Sequence, residues 1–184
     1  MLRRTPFLLH KDLPMDATFT LRSEAAGTIP LSVLDFLEQT QVSYEILWHK
    51  RDADAQHTAA HTHTPRLEFA KTVVVRAGEQ EFLLLLPAHH HVNTDLVAQA
   101  LDVPAVHLVP ESRLSQLFPD CQVGAQPPFG TLYGLPVIVA APMALDEQIT
   151  FNAGSHDCAV RLRYADFERI EKPRVINFSA KNTA

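Results

Sequence analysis

Cysteine is scarce, with only Cys121 and Cys158 in 184 residues. The two form neither a CxxC pair nor a disulfide framework, which excludes a stapled secreted scaffold and predicts a reducing, cytoplasmic setting. Long apolar runs are also missing. The run at 82–86 has the length of a buried strand, whereas a membrane span needs about 20 apolar residues. The first nine residues start like a signal peptide, but His10, Lys11 and Asp12 cut the apolar stretch short. No GxSxG elbow and no HExxH pair occur, so the α/β-hydrolase and zincin signatures are absent. There is no internal repeat and no low-complexity tract. A basic excess is lacking too: the net charge of -5 argues against a broad phosphate-gripping surface and against DNA as a partner.

The composition that remains is that of a soluble globular chain, with 46% hydrophobic and 20% charged residues. Its length suits one domain able to bury a core without disulfides or metal. Residues 1–28 carry Pro6, Pro14 and Gly27 and no sustained periodicity, so they read as a weakly structured extension, with Met15 an alternative start; residues 29–180 read as a single domain. Charge is unevenly placed. From residue 158 onward six basic residues face three acidic ones, a local +3, against -8 for the remainder. Such a small basic patch can meet the phosphates of a partner without a large footprint, or it is simply a solvated helix face and tail.

The pattern alternates strands and short helices. Thr28 and Pro30 precede a helix with Leu31, Leu34 and Leu37 on one face. Residues 42–48 alternate, Val42, Tyr44, Ile46 and Trp48 against Ser43, Glu45 and Leu47, as a strand. A polar histidine-rich loop with a short helix at 56–61 is expected to follow. Strands at 71–77 and 80–86 flank the Gly78-Glu79 turn as a hairpin. Asn93 or Thr94 starts a helix carrying Leu96, Val97, Ala100 and Leu101 on one side and ending before Pro104. A strand at 105–108, a helix from Pro110 to Phe118, strands at 135–140, 148–152 and 158–162, and a helix around Tyr164, Phe167 and Ile170 complete the order. Hairpins mixed with short helices predict an α+β fold, a mixed, largely antiparallel sheet surrounded by short helices.

Three segments hold the candidate chemistry. Lys71 heads the β-branched run Thr72-Val73-Val74-Val75. The loop 124–130 has glycine at both ends, Gly124 and Gly130, and Pro127-Pro128 between, giving freedom at the ends and an extended middle. Gly154-Ser155-His156 follows the strand-like run 149–152. Adjacent side chains on extended backbone point to opposite faces, so His156 is no base for Ser155. A small-residue turn that presents backbone N–H groups to a substrate, with His156 lining the pocket, is a better role than a nucleophilic serine, and a histidine at a turn is more often structural than catalytic. His57 and His61 have the i, i+4 spacing of a helical metal pair, with His63 close behind, but no glutamate accompanies them. His89, His90 and His91 diverge on extended chain, so neither group is read as a metal site.

Together these three segments, Ala70-Lys71-Thr72, Gly124 to Gly130 and Gly154-Ser155-His156, resemble the YbaK family. Its members are trans-acting aminoacyl-tRNA deacylases whose domain also occurs inserted in bacterial prolyl-tRNA synthetases. The resemblance extends over residues 31–178, with Leu34-Asp35-Phe36-Leu37, Leu86-Pro87-Ala88 and Val175-Ile176-Asn177-Phe178 as quieter matches in the same order. It implies the YbaK/prolyl-tRNA synthetase-associated fold and hydrolysis of the ester of mischarged aminoacyl-tRNA, of a small amino acid on a proline or related tRNA. It also implies Lys71, Gly154 and His156 as catalytic residues. Thr72, Gly124, Pro128, Phe129, Gly130 and Ser155 become substrate-binding, with Gly124 and Phe129 as walls of the amino-acid subpocket. The stretch at 89–91 corresponds to a variable polar loop. The implied partners are the acceptor end of aminoacyl-tRNA and a cognate synthetase, with no membrane, no metal and no cofactor. The ester is already activated, and the terminal ribose offers a free hydroxyl beside its carbonyl. The protein need only orient that hydroxyl and a water and stabilise the oxyanion. A non-catalytic module binding tRNA or an aminoacyl-adenosine-like ligand is the alternative.

Overall fold

The computed structural model describes residues 29–49 and 69–181. The expectations for the extension at 1–28, the helix at 56–61, and His57, His61 and His63 lie outside the described residues.

Helix α1 (Leu31–Gln39) opens the described chain after Pro30, which holds the N-cap position, and closes at Thr40, whose hydroxyl donates to Phe36 O at 2.8 Å. Its buried residues are Val33 and Leu37, with Leu34 and Phe36 packed at their side. Leu31 is 62% exposed, so the buried stripe is rotated from the expected Leu31-Leu34-Leu37 face. Strand β1 (Tyr44–Trp48) follows. Here the expected alternation fails, because Ile46 and Trp48 are exposed and Leu47 packs inward beside Phe69 and Ala159. β1 is an edge strand of a three-stranded sheet, and one such strand need not bury a full face.

The hairpin of β2 (Ala70–Ala77) and β3 (Gln80–Pro87) forms as expected, antiparallel, with Lys71 opposite Leu86 and Thr72 opposite Leu85. β4 (His90–Val92) then precedes α2 (Thr94–Leu101), and the Asn93 side chain accepts the amides of Asp95 and Leu96 at 3.1 Å each. This is an N-cap that supplies partners for two otherwise orphaned donors. Val97 and Ala98 are buried, whereas Leu96 is exposed, contrary to its expected inward position. β5 (Val106–Leu108), α3 (Glu111–Leu117), α4 (Gly130–Tyr133) and β6 (Val137–Ala140) follow, then a 3-10 turn at Ala141–Leu145. β7 (Gln148–Ser155), β8 (Cys158–Arg163), α5 (Tyr164–Glu171), β9 (Arg174–Ile176) and β10 (Ser179–Lys181) end the described chain.

The five-stranded sheet runs β5-β2-β3-β6-β9, with β3–β6 and β6–β9 parallel and the other pairs antiparallel. β1-β8-β7 is antiparallel, as is the pair β10-β4. A parallel bridge from Phe69 to Thr150 ties the start of β2 to β7. The fold is therefore α+β with mixed, antiparallel-dominated sheets.

Strand β3 explains where the core sits. Leu83 and Leu85 belong to one buried cluster, with Val74, Phe129, Phe151 and Phe167; Leu84 and Leu86 belong to another, with Val75, Val97, Ile138 and Phe178. A strand covered on both faces reads as an unbroken apolar run, which is why 82–86 shows no alternation. Each such side chain contributes about 1.5–3 kcal/mol on burial, enough to fix the register of the hairpin that carries Lys71 and Thr72.

Of the three histidines expected in a polar loop, only His89 lies in a turn. His90 and His91 lie in β4, pairing with Lys181 and Ala180. His90 is buried, with Nδ1 2.8 Å from Ser179 Oγ, and His91 is exposed. His89 precedes the strand, and its ring meets His90 edge-on with centroids 4.5 Å apart. The two rings therefore touch, where divergence was expected. Their pairing to β10 needs a C-terminal strand that local pattern does not reveal.

Candidate active site

Two turns meet beside the first half of β2, which extends beyond its pairing with β5. The first is the loop 122–130, the second the tight connection between β7 and β8. They are bound to each other by backbone: Gly154 N donates to Ala125 O and Gln122 N donates to Gly154 O, both at 2.8 Å. The Gln122 side chain adds a bond, its Oε1 accepting the His156 amide at 3.2 Å. Gly154 has φ +93° and Gly124 φ +89°, values that glycine tolerates and other residues rarely adopt. Space also requires glycine at 154, since an added methyl would overlap the Pro30 ring, coming within 2.6 Å of its Cγ.

His156 lies over the first turn. Its Nε2 is 2.8 Å from Val123 O, and a side chain at Gly124 would come within 3.2 Å of its Cε1. A carbonyl can only accept, so Nε2 carries the proton, and Nδ1 of the neutral ring is left as an acceptor. That Nδ1 is buried and has no hydrogen-bond partner among the described residues. Ser155 turns the other way, its buried hydroxyl donating to Asp157 Oδ1 at 2.7 Å. Separation of Ser155 from His156 follows from the strand geometry, and it leaves no serine–histidine pair here.

Between the loop and β2 lies a cavity of about 210 Å³. Thr72, Val73 and Val74 form one wall, Val123, Gly124 and Gln126 another, and Leu108, Val109 and Leu114 help close it. Gln126 is buried, and its Oε1 accepts the Gly124 amide at 3.1 Å, which holds the exposed glycine turn in place. The Thr72 hydroxyl oxygen is buried without a hydrogen-bond partner among the described residues.

The structure thus places Thr72 and Gly124 on one cavity and His156 against the Gly124 turn, while Gly154 binds the loop through its backbone and Ser155 bonds to Asp157. Other expected site residues have different positions. Phe129 is fully buried, with its ring 5.0 Å from Phe36 and 5.3 Å from Phe151, so it is a core residue and does not form a wall of this cavity. Pro128 is buried, and Gly130 begins α4, where a side chain would overlap Leu135 O and Val137. The amide of Gly154 is engaged by Ala125, so in this arrangement it does not face a substrate as expected.

Lys71 is half-buried and alternates to the sheet face opposite Thr72, the face of Val73 and Val75. It is close enough to His90 for its charge to act there. Burial first, then the charges of His89, Lys181, Lys71 and His91, hold the His90 imidazole below its usual value. Lys181 sits directly across from His90 in the β4–β10 pair. Sequence reasoning missed Gln122, Val123 and Gln126, whose roles depend on a contact between turns some 30 residues apart. The proximity of the two glycine-bearing turns was carried only by the family resemblance.

A profile of the aminoacyl-tRNA editing domain matches residues 49–170, which include β2, both turns and the cavity. The chain belongs to the aminoacyl-tRNA editing domain family. Among curated relatives of this editing domain, the multifunctional Ser/Thr-tRNA deacylase ProXp-y of Escherichia coli strain K12 is 25% identical over 152 residues, covering 79% of this chain and 90% of the relative. The protein of the same name from strain O157:H7 matches to the same extent. Solved structures share the fold. A protein proposed as a trans-editing enzyme for prolyl tRNA synthetase superposes with a TM-score of 0.74 at 13% identity, covering 85% of this chain and 99% of the other. The hypothetical protein APE2540 gives 0.73 at 14% identity, covering 81% and 99%. No helix among the described residues is long and apolar enough to cross a membrane.

Proposed function

We propose that this editing domain hydrolyses, in trans, the ester of mischarged aminoacyl-tRNA, with a small amino acid on a proline or related tRNA as substrate, and that it works in the cytoplasm as one domain over residues 29–180. Family membership supports the reaction class, and the cavity between Thr72 and Gly124 supports its location. At about 210 Å³ it is the size for an aminoacyl group, and a larger side chain would be kept out by its walls. Exclusion by size is the logic of a second sieve that hydrolyses what is small enough to enter.

The chemistry asks little of the protein. His156 is held at a fixed angle by the bond from Nε2 to Val123, and its Nδ1, buried in this arrangement, becomes an acceptor for the terminal ribose hydroxyl or the attacking water once substrate shifts the Gly124 turn. The exposed Gly124 turn lets the ester approach the backbone closely. Lys71, on the other face of β2, is better placed for phosphate than for the ester carbonyl. With Lys181 it forms a small cationic group suited to the acceptor end, which fits the local basic excess of the C-terminal part. A cognate synthetase is a further expected partner.

The test is single-turnover deacylation of a panel of mischarged proline tRNAs carrying alanine, cysteine, serine and threonine, run with and without chelator. Hydrolysis of at least one, unchanged by chelator, is the expected result. Tight binding of every substrate without turnover would establish the regulatory-module alternative. Activity lost to chelator and restored by zinc would instead promote His57, His61 and His63.

A further inference from the structure

Among the described residues, one charged side chain lines the cavity between β2 and the loop 122–130. It is Glu111, in a lining that is otherwise hydrocarbon, the Gly124 turn and the neutral polar groups of Thr72 and Gln126. Local structure fixes its place. Val109 N donates to Val74 O at 3.0 Å, which pins the segment ahead of α3 to β2, and Pro110 O accepts the amides of Arg113 and Leu114 to start the helix. Glu111 and Leu114 are three residues apart, hence on one face of α3, and Leu114 lines the same cavity. Glu111 is exposed, so it stands at the rim. No basic side chain among the described residues neutralises it. Arg113, the basic residue of the same helix, is committed to Glu81 through bonds of 3.1 and 3.0 Å and to Gln116 at 3.1 Å. An acid at a helix start complements the macrodipole, but any position of the first turn serves that purpose and none needs the face of Leu114.

We infer that Glu111 is a specificity-determining residue that pairs with the α-ammonium of the aminoacyl ester, so that the site selects esters with a free amino group over α-hydroxyacyl esters of the same side chain. This rests on the proposed deacylase reading and deepens it. A carboxylate at the rim repels a polyanionic acceptor end, so a site built to receive that end gains from it only if the ligand brings a cation to the same place. The α-amino group, protonated over much of the neutral range, is the one positive group the aminoacyl end carries. An ammonium that loses water against an apolar lining needs a charged or strongly accepting partner. Gln126 does not supply it, because its Oε1 is engaged by the Gly124 amide. With the ammonium held at the rim, the side chain is left to the apolar interior formed by Val73, Val74, Leu108 and Leu114. A site with a group that the substrate must satisfy penalises the analogue that leaves it unpaired.

The experiment takes the aminoacyl-tRNA that the wild type hydrolyses fastest and its α-hydroxyacyl counterpart, which for alanyl-tRNA is lactyl-tRNA, equal in heavy atoms but without the charge. Wild type, Glu111→Gln and Glu111→Asp are compared by kcat/KM on each ester, so that the intrinsic reactivity of the ester cancels within each comparison. Glu111→Gln is expected to lower kcat/KM on the aminoacyl ester by about tenfold or more, the size of one charge-assisted bond, and to change it by less than about twofold on the hydroxyacyl ester. Glu111→Asp should recover part of the loss, since it keeps the charge on a shorter arm. Melting temperatures accompany each variant. Equal losses on the two esters would mean that the residue serves the start of α3 or the shape of the cavity, and no loss on the aminoacyl ester would mean that the ammonium binds elsewhere. Either result would overturn the inference while leaving the deacylase reading intact. No hydrolysis of any aminoacyl ester by the wild type would overturn both.

Discussion

A backbone carbonyl decides what the His156 imidazole can do. Val123 O takes the proton-bearing nitrogen, so in the neutral ring the lone pair falls on the other nitrogen with a fixed direction. The imidazole thus becomes a positioned acceptor without a carboxylate partner, unlike the histidine of a serine hydrolase triad. The role proposed for Lys71 rests on its charge. It lies at the start of β2, half-buried, where its charge and that of Lys181 both reach His90. An ammonium so placed contributes little packing, and surface-type truncations usually change stability by less than about 0.5 kcal/mol. Lys71→Ala is therefore expected to abolish deacylation with an unchanged melting temperature. If the ammonium serves phosphate, the loss relative to wild type should grow as salt is lowered, and Lys71→Arg should recover part of it. A folded, fully active Lys71→Ala protein would remove this residue from the site.

Elements were legible in the sequence where a local rule governs them. Turn chemistry at Gly78-Glu79 gave the hairpin, and Asn93 gave the start of α2, because both are decided within a few residues. The β1 alternation misled, since burial there depends on which strand is an edge. β4 and β10 were missed because each is three residues long and exists through its partner 89 positions away. The same limit applies at the site. Sequence could supply Gly154 as a residue needing freedom, but its neighbour is Pro30, at the head of α1, and that contact is visible only in the fold. The expected role of the Gly154 amide as an oxyanion donor gives way to a structural one. Its bond to Ala125 and its bond from Gln122 weld β7 to the loop 122–130, and Pro30 packs against its Cα. Gly154→Ala should consequently lower stability by about 1–3 kcal/mol through overpacking alone, with the positive φ adding to the cost. For a chain of this size each kcal/mol corresponds to about 2–4 °C in melting temperature. Thermal unfolding of the variant checks it. An unchanged melting point with turnover lost would return this amide to the oxyanion.

At the scale of the molecule, two buried titratable groups couple stability to pH in opposite directions. Glu171, at the end of α5, accepts the amide and hydroxyl of Thr131 at 3.0 and 3.1 Å and so ties α5 to the start of α4. Burial outweighs these bonds and holds its carboxyl above the usual carboxylate value. The folded state then binds this proton more tightly than the unfolded one, so its contribution falls as pH rises from the unfolded pKa through the folded one, and the penalty is complete at neutral pH. His90 behaves conversely. Burial, reinforced by His89, Lys181, Lys71 and His91, holds it below the ordinary histidine value. The unfolded chain therefore takes up that proton first, and stability is lost as pH falls below about 6.5, the unperturbed value. Two substitutions separate the effects. Glu171→Gln keeps an oxygen for Thr131 and should raise the melting temperature at pH 7, with the gain shrinking as pH drops into the carboxylate range. His90→Gln keeps a partner for Ser179 and should flatten the decline between pH 7 and 5.5 relative to wild type. Melting curves of the three proteins across that range decide the matter. A wild-type decline reproduced in His90→Gln would place the acid sensitivity elsewhere in the chain, and a Glu171→Gln protein less stable at pH 7 would mean that the two bonds to Thr131 outweigh the burial of the charge.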